Sequence, residues 1–171
     1  EDAKIQMQTG IGVWDGASNG SDNPDIVFAA TGDYMTLESI ASIRLMEQIA
    51  PQIKTRFVSV SELSYLNIGE LSNPGKISFE LFNKYFTPDK HIIYSYHGYK
   101  EDIQGLLYKN PRAEKVHIHS YKERGTTTTP FDMLVLNNCS RYQLVLEAVH
   151  YYTEEHPEFA GKQRSIVAYI T

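Results

Sequence analysis

Ile26 to Thr31 reads IVFAAT, an almost unbroken apolar run of strand length that ends in Gly32-Asp33. A strand wetted on one side alternates apolar and polar residues. A run without alternation needs cover on both faces, which the parallel sheets of α/β proteins provide. Behind it, Thr36 to Ala50 places Leu37, Ile40, Ala41, Leu45 and Ile49 at spacings of three and four, with Glu38, Glu47 and Gln48 on or near the opposite side. That is the pattern of an amphipathic helix. Asp33 or Thr36 is placed to cap its start, since a side-chain oxygen there accepts an orphan backbone N–H, and Pro51 follows its end.

The same alternation continues along the chain. Ile53 to Val60 (IKTRFVSV), His91 to Tyr96 (HIIYSY) and Lys115 to Tyr121 (KVHIHSY) are further strands by composition. Ser61 to Leu71 opens a short helix. Asn73-Pro74-Gly75 is a turn, and Phe79, Leu81, Phe82, Tyr85 and Phe86 suit a short helix ending before Pro88. Lys100 to Lys109 is helical through Ile103, Leu106 and Leu107 and is stopped by Pro111. Pro130 suits a first helical residue with Thr129 as N-cap, while Met133 to Leu136 fits strand or helix. Ser140 caps a helix over Arg141 to Tyr152, and a short helix near Ile166 to Ile170 closes the tail. Four strand–helix alternations predict a three-layer α/β fold, a mostly parallel sheet of about five strands with helices on both faces. Residues 1–22 are expected to be a lead-in segment packed on the domain, anchored by Trp14, and residues 23–171 a single α/β domain.

A chain of 171 residues buries a sizeable core in one domain. Its formal net charge of -5, with no Lys/Arg cluster, carries no electrostatic footprint for nucleic acid. Cys139 is the single cysteine, so no internal disulfide forms and cytoplasm is the expected compartment. The first thirty residues hold no basic flank followed by an apolar stretch, and no apolar run reaches the roughly 18 residues that span a bilayer. No membrane association or secretion is expected. An opening Glu1 in place of a methionine suggests a piece of a longer polypeptide.

In sheets of this kind ligands sit beyond the carboxyl ends of the strands, which singles out Gly32-Asp33, His97-Gly98-Tyr99 and Lys122 to Thr129. Four threonines, Thr126, Thr127, Thr128 and Thr129, stand between Gly125 and Pro130 with Lys122 and Arg124 nearby. Backbone N–H groups and hydroxyls at a helix start favour an anion. The competing reading is that the hydroxyls bond their own turn and cap the helix. His97, at a strand end beside Gly98, is a candidate acid/base or phosphate ligand. Gly32-Asp33 resembles the opening of a thiamine diphosphate motif, but Tyr34 stands where that motif needs its second glycine, and neither a dinucleotide fingerprint nor a Walker loop is present. His117 and His119 share one strand face without a carboxylate or cysteine at matching spacing, so a polar strand face is the simpler reading than a metal site. Gly-x-Ser-x-Gly is missing and Cys139 has no identifiable base. No catalytic or metal-ligating residue is assigned.

Taken together, several segments resemble a known family. GVWDGASN (Gly12 to Asn19), PDIVFAATGDYMTLESIASIRLM (Pro24 to Met46), IIYSYHGY (Ile92 to Tyr99) and above all YKERGTTTTPFDMLVLNNCSRYQL (Tyr121 to Leu144) resemble the C-terminal domain of phosphoketolases. Ser61 to Phe86 and the tail after Tyr152 carry no strong signature. The resemblance implies a transketolase-like C-terminal domain fold in a thiamine diphosphate and Mg2+ enzyme. That enzyme cleaves xylulose 5-phosphate or fructose 6-phosphate with inorganic phosphate, giving acetyl phosphate and a shorter aldose phosphate. It also implies that cofactor and metal are bound by preceding domains of the same polypeptide, that the active site forms in a homodimer or higher oligomer, and that this domain is structural and inactive alone. The alternative is a regulatory module holding a phosphate or nucleotide effector at the threonine loop.

Overall fold

The structure is a computed structural model and describes residues 2–69, 76–123, 125 and 128–171. In chain order the elements are α1 (Asp2–Thr9), β1 (Ile11–Val13), β2 (Ile26–Thr31), α2 (Asp33–Ile49), β3 (Thr55–Val60), α3 (Phe79–Phe86), β4 (His91–His97), α4 (Lys100–Leu107), β5 (Val116–Tyr121), α5 (Pro130–Leu136), α6 (Arg141–Glu155) and α7 (Ala160–Ile170). The five strands form one sheet in the order β1-β3-β2-β4-β5. β2 pairs in parallel with β3 and β4, β5 pairs in parallel with β4, and β1 runs antiparallel to β3. The expected three-layer, mostly parallel architecture is the one observed. Among the described residues no helix is long and apolar enough to cross a membrane.

The unbroken apolar run of β2 has a direct explanation in this arrangement. Ile26, Phe28 and Ala30 point into a core shared with α2, α5, α6 and α7. Val27 and Ala29 point the other way, into a core built with α3 and α4. Because successive side chains of a strand alternate between faces, only a strand covered on both sides can be apolar throughout. The helix over Arg141 to Glu155 buries Leu144, Val145, Ala148 and Val149 completely against the first of these cores. Burying such aliphatic side chains contributes about 1.5–3 kcal/mol for each Leu or Val. Its start carries the expected Ser140, in a reciprocal capping box with Gln143.

Three expectations are corrected. The N-cap of α2 is Gly32, at φ 100°, and no side chain caps the helix; Asp33 lies within the first turn, so neither it nor Thr36 holds the capping position. The buried face of α2 is also rotated from the expected one. Met35, Glu38, Ser39, Ser42, Ile43 and Met46 are buried, whereas Leu37 is 62% exposed. The helix is wedged between the sheet and α6, and this second contact takes in Glu38, whose charge is met by Arg141. Thirdly, the final helix is longer than expected, starting at Ala160. The opening segment, read from its composition as a lead-in, supplies α1 and the antiparallel edge strand β1. Trp14 stands edge-on to Phe57 at 5.4 Å between ring centroids, and its Nε1–H donates to Gln6 Oε1 at 2.6 Å. The turn expected at Asn73-Pro74-Gly75 lies outside the described residues.

Candidate functional site

Every parallel strand ends at the same edge of the sheet, so the loops after β2, β4 and β5 meet there. The loops after β2 and β4 approach so closely that a Cβ added at Gly32 would lie 2.7 Å from His97 Cβ. Glycine is needed at that position both for this approach and for its positive φ. His97 stands edge-on to Tyr121 at 5.0 Å, and its Nε2 is 3.9 Å from Glu123 Oε1. Tyr34, from the first turn of α2, lies 5.9 Å from Tyr121, ring centroid to centroid. Burial raises the phenol of Tyr121, with the negative charge of Glu123 adding to the effect.

Beside this aromatic group lies a cleft of about 240 Å³ whose lining includes Tyr34, Tyr121, Glu123, Gly125, Thr128 and Met133. Of the residues singled out from sequence, Gly125 and Thr128 line it, and His97 packs on its tyrosine. Lys122 turns elsewhere: its Nζ is 3.7 Å from Glu101 Oε2 and 5.4 Å from the centre of the Tyr99 ring. Arg124, Thr126 and Thr127 lie outside the described residues.

The threonine loop behaves as a cap wherever it is described. Thr129 is the N-cap of α5, with Pro130 as the first helical residue, and Thr129 Oγ1 accepts the N–H of Asp132 at 3.1 Å. The Thr128 and Thr129 hydroxyls both donate to Asp132 Oδ2, at 2.9 and 2.7 Å. Hydrogen bonds from Thr129 and then Thr128 hold this carboxyl below its ordinary range. A carboxylate thus sits at the helix start where an incoming anion would have to bind, and both described hydroxyls point their protons at it. The base of the loop is fastened by Asn137, which sequence reasoning missed. Its Oδ1 accepts the Lys122 N–H at 3.3 Å, and its Nδ2 donates to the carbonyls of Lys122 at 3.2 Å and Met133 at 2.8 Å. An asparagine immediately after an apolar helical run was the available signal.

Cys139 is fully buried, its thiol pushed up to about 12 by burial and then by the charge of Glu38. It is a packing residue. His117 and His119 do share a face, and α6 covers it. His91 Nδ1 lies 2.8 Å from His117 Nε2, Tyr151 stacks on both rings at 4.5 and 3.7 Å, and His119 bonds Glu147 through Nε2 and the Asn138 carbonyl through Nδ1. Among the described residues no three His, Cys, Asp or Glu side chains gather in a way that could hold a metal ion. With Tyr34 after Gly32-Asp33 and no such donor set, these residues do not fit a thiamine diphosphate–metal pair.

A family model described as the XFP C-terminal domain matches residues 1–170. A probable phosphoketolase of Rhodopseudomonas palustris (strain BisB5) is 39% identical over 168 residues, covering 98% of this chain and 21% of that protein. One from Chlorobaculum tepidum is also 39% identical, over 162 residues, covering 94% of this chain and 20% of that protein. Among solved structures, a chain described as "Split gene transketolase, inactive beta4 tetramer" is similar in fold, with a TM-score of 0.50 at 14% identity over 78% of this chain and 41% of that one. The chain spans about a fifth of the length of the curated relatives it matches. With a family model matched from end to end and curated relatives near 40% identity along its length, the chain belongs to the phosphoketolase C-terminal domain family.

Proposed function

We propose that this chain is the C-terminal domain of a thiamine diphosphate-dependent phosphoketolase. The full enzyme would cleave xylulose 5-phosphate, fructose 6-phosphate or both with inorganic phosphate to acetyl phosphate and a shortened aldose phosphate. The observation that carries this reading is a match over residues 1–170 to a family whose curated relatives are about five times as long. In this reading the cofactor and Mg2+ belong to preceding domains of the same cytoplasmic polypeptide. The domain's own work is to pack against them and to support a homodimer or higher oligomer, and it is inactive alone. What supports the division of labour is the chemistry around the strand ends: among the described residues His97 has only the distant Glu123 as an ionic neighbour, Asp132 is committed to two threonines, and the thiol of Cys139, between the two following helices, is buried.

The test is an acetyl phosphate assay with both ketose phosphates, inorganic phosphate, thiamine diphosphate and magnesium. The 171-residue chain should form none, and the complete polypeptide that carries it should form acetyl phosphate. Product from the chain alone overturns the structural role, and a complete polypeptide that makes none overturns the activity.

A further inference from the structure

A cleft of about 600 Å³ lies on the other side of β2 from the threonine loop. Its floor is the carboxyl ends of β2 and β3, at Ala30, Thr31, Ser59 and Val60, and one wall is the first two turns of α2. Trp14, Leu37 and Ile40 make up an apolar side. The polar side holds Ser59, Ser61, Thr36 and the Asp33 carboxylate, together with the helix start that no side chain caps. Ser59 is the telling residue. It is only 8% exposed, its hydroxyl has no hydrogen-bond partner among the described residues, and it is not one of the buried side-chain atoms sealed from solvent. What remains open of that hydroxyl therefore faces the cleft. A hydroxyl held in a largely buried position without a partner is uncommon and calls for one.

Charge decides the class of ligand. No Lys, Arg or His is among the described residues that line the cleft, and Asp33 puts a negative charge at its helix wall. A helix start contributes about 0.3–1 kcal/mol toward an anion at an exposed position, which the neighbouring carboxylate opposes. A ligand with several hydroxyls meets matching partners here: an acceptor in Asp33, donor-acceptors in the serines and Thr36, and donors in the first-turn N–H groups. An apolar side opposite a few convergent polar groups is the make-up of small-molecule sites in general. We propose that this cleft binds an uncharged ligand in which a hydroxyl-bearing ring is joined to an apolar or aromatic group, the chemistry of a nucleoside or glycoside. Ser59 and Asp33 take the hydroxyls, and Trp14 and Leu37 take the apolar part. This site does not depend on the phosphoketolase reading.

The experiment titrates the 171-residue chain with adenosine, ribose, adenosine monophosphate and inorganic phosphate, following melting temperature and the amide resonances of Thr36 and Ser59. Adenosine should give a saturable response, ribose a weaker one, and adenosine monophosphate should bind less well than adenosine because its phosphate meets Asp33. Ser59→Ala should leave the melting temperature of the free chain unchanged and lower adenosine affinity by about fivefold, the loss of one ordinary hydrogen bond. Asp33→Asn should narrow the gap between adenosine and its monophosphate. The proposal is overturned if adenosine produces no saturable response up to its solubility, or if the response is the same in Ser59→Ala. Tighter binding of phosphate or of the monophosphate than of adenosine also overturns it, since the cleft would then be an anion cradle.

Discussion

Replacing Glu38 by alanine is expected to loosen α2 from α6, across 103 residues of sequence. Glu38 is 4% exposed and accepts three hydrogen bonds from one residue: the Arg141 backbone N–H at 2.7 Å, Nε–H at 3.1 Å and Nη2–H at 2.5 Å. The first of these sits at the start of α6, where a carboxylate also answers the helix dipole. Hydrogen bonds to charged groups are worth about 1.5–3 kcal/mol each when buried, but the Arg141 side chain is 40% exposed, and water screens its share. Discounted for that exposure, Glu38→Ala should cost about 3 kcal/mol. Arg141→Ala keeps the backbone N–H bond and loses only the guanidinium contacts, so about 1–1.5 kcal/mol is expected. The double variant should cost hardly more than Glu38→Ala, giving a coupling of about 1 kcal/mol in a double-mutant cycle. Urea unfolding at pH 7 measures all four species, and Glu38→Ala should lower the melting temperature by roughly 6–12 °C for a domain of this size. A loss below about 1 kcal/mol for Glu38→Ala, or strict additivity in the cycle, would refute the reasoning that this pair joins α2 to α6.

Two further expectations follow from the same physical terms. Thr129→Ala removes the N-cap of α5 and one of the two donors to Asp132, so it should destabilise by about 1 kcal/mol, while Thr128→Ala, which leaves the cap in place, should cost less; thermal melts of the two variants decide this. Burial, only partly offset by the charge of Glu147, pushes His117 from 6.5 down to about 4, and burial and then Lys115 lower His91 beside it. A histidine whose folded pKa is depressed stabilises fully above its unfolded value and loses that contribution as pH falls, so stability should decline from about pH 6.5 toward pH 4. His117→Gln should flatten that decline in urea titrations, and an unchanged slope would exclude His117 as its source.

Much of the fold was written in local chemistry. Thr129 before Pro130 and Ser140 before Gln143 announce helix starts because the groups that satisfy a helix end lie within a few residues of it. IVFAAT announced a strand buried on both faces for the same local reason. The orientation of α2 was not legible, because it depends on α6: Glu38 looks like a solvent-facing residue until Arg141 arrives from the far end of the chain. Strand β1 was missed because three residues, Ile11-Gly12-Val13, make too short a pattern to show periodicity; their place is fixed by the edge of β3. At the candidate site, His97 and the threonine cap could be placed from the strand ends, whereas the pairing of Tyr121 with Tyr34 shows only in the fold. The hydroxyl of Ser59 gave no such signal, since in sequence it is one more residue of an alternating strand, and only the fold shows that it has no partner among the described residues.

The antiparallel strand β1 has a consequence for how the domain can be cut. It pairs with Val58, Ser59 and Val60 and so covers the outer edge of β3, whose six residues are buried throughout. A shortened chain beginning at Asn23 would bare that edge, half of it β-branched residues, as a template for strand addition. Such a chain keeps most of both cores, yet its failure would come as self-association in solution and not as simple unfolding. Twenty-two residues that look expendable in sequence would then be what keeps the sheet to itself.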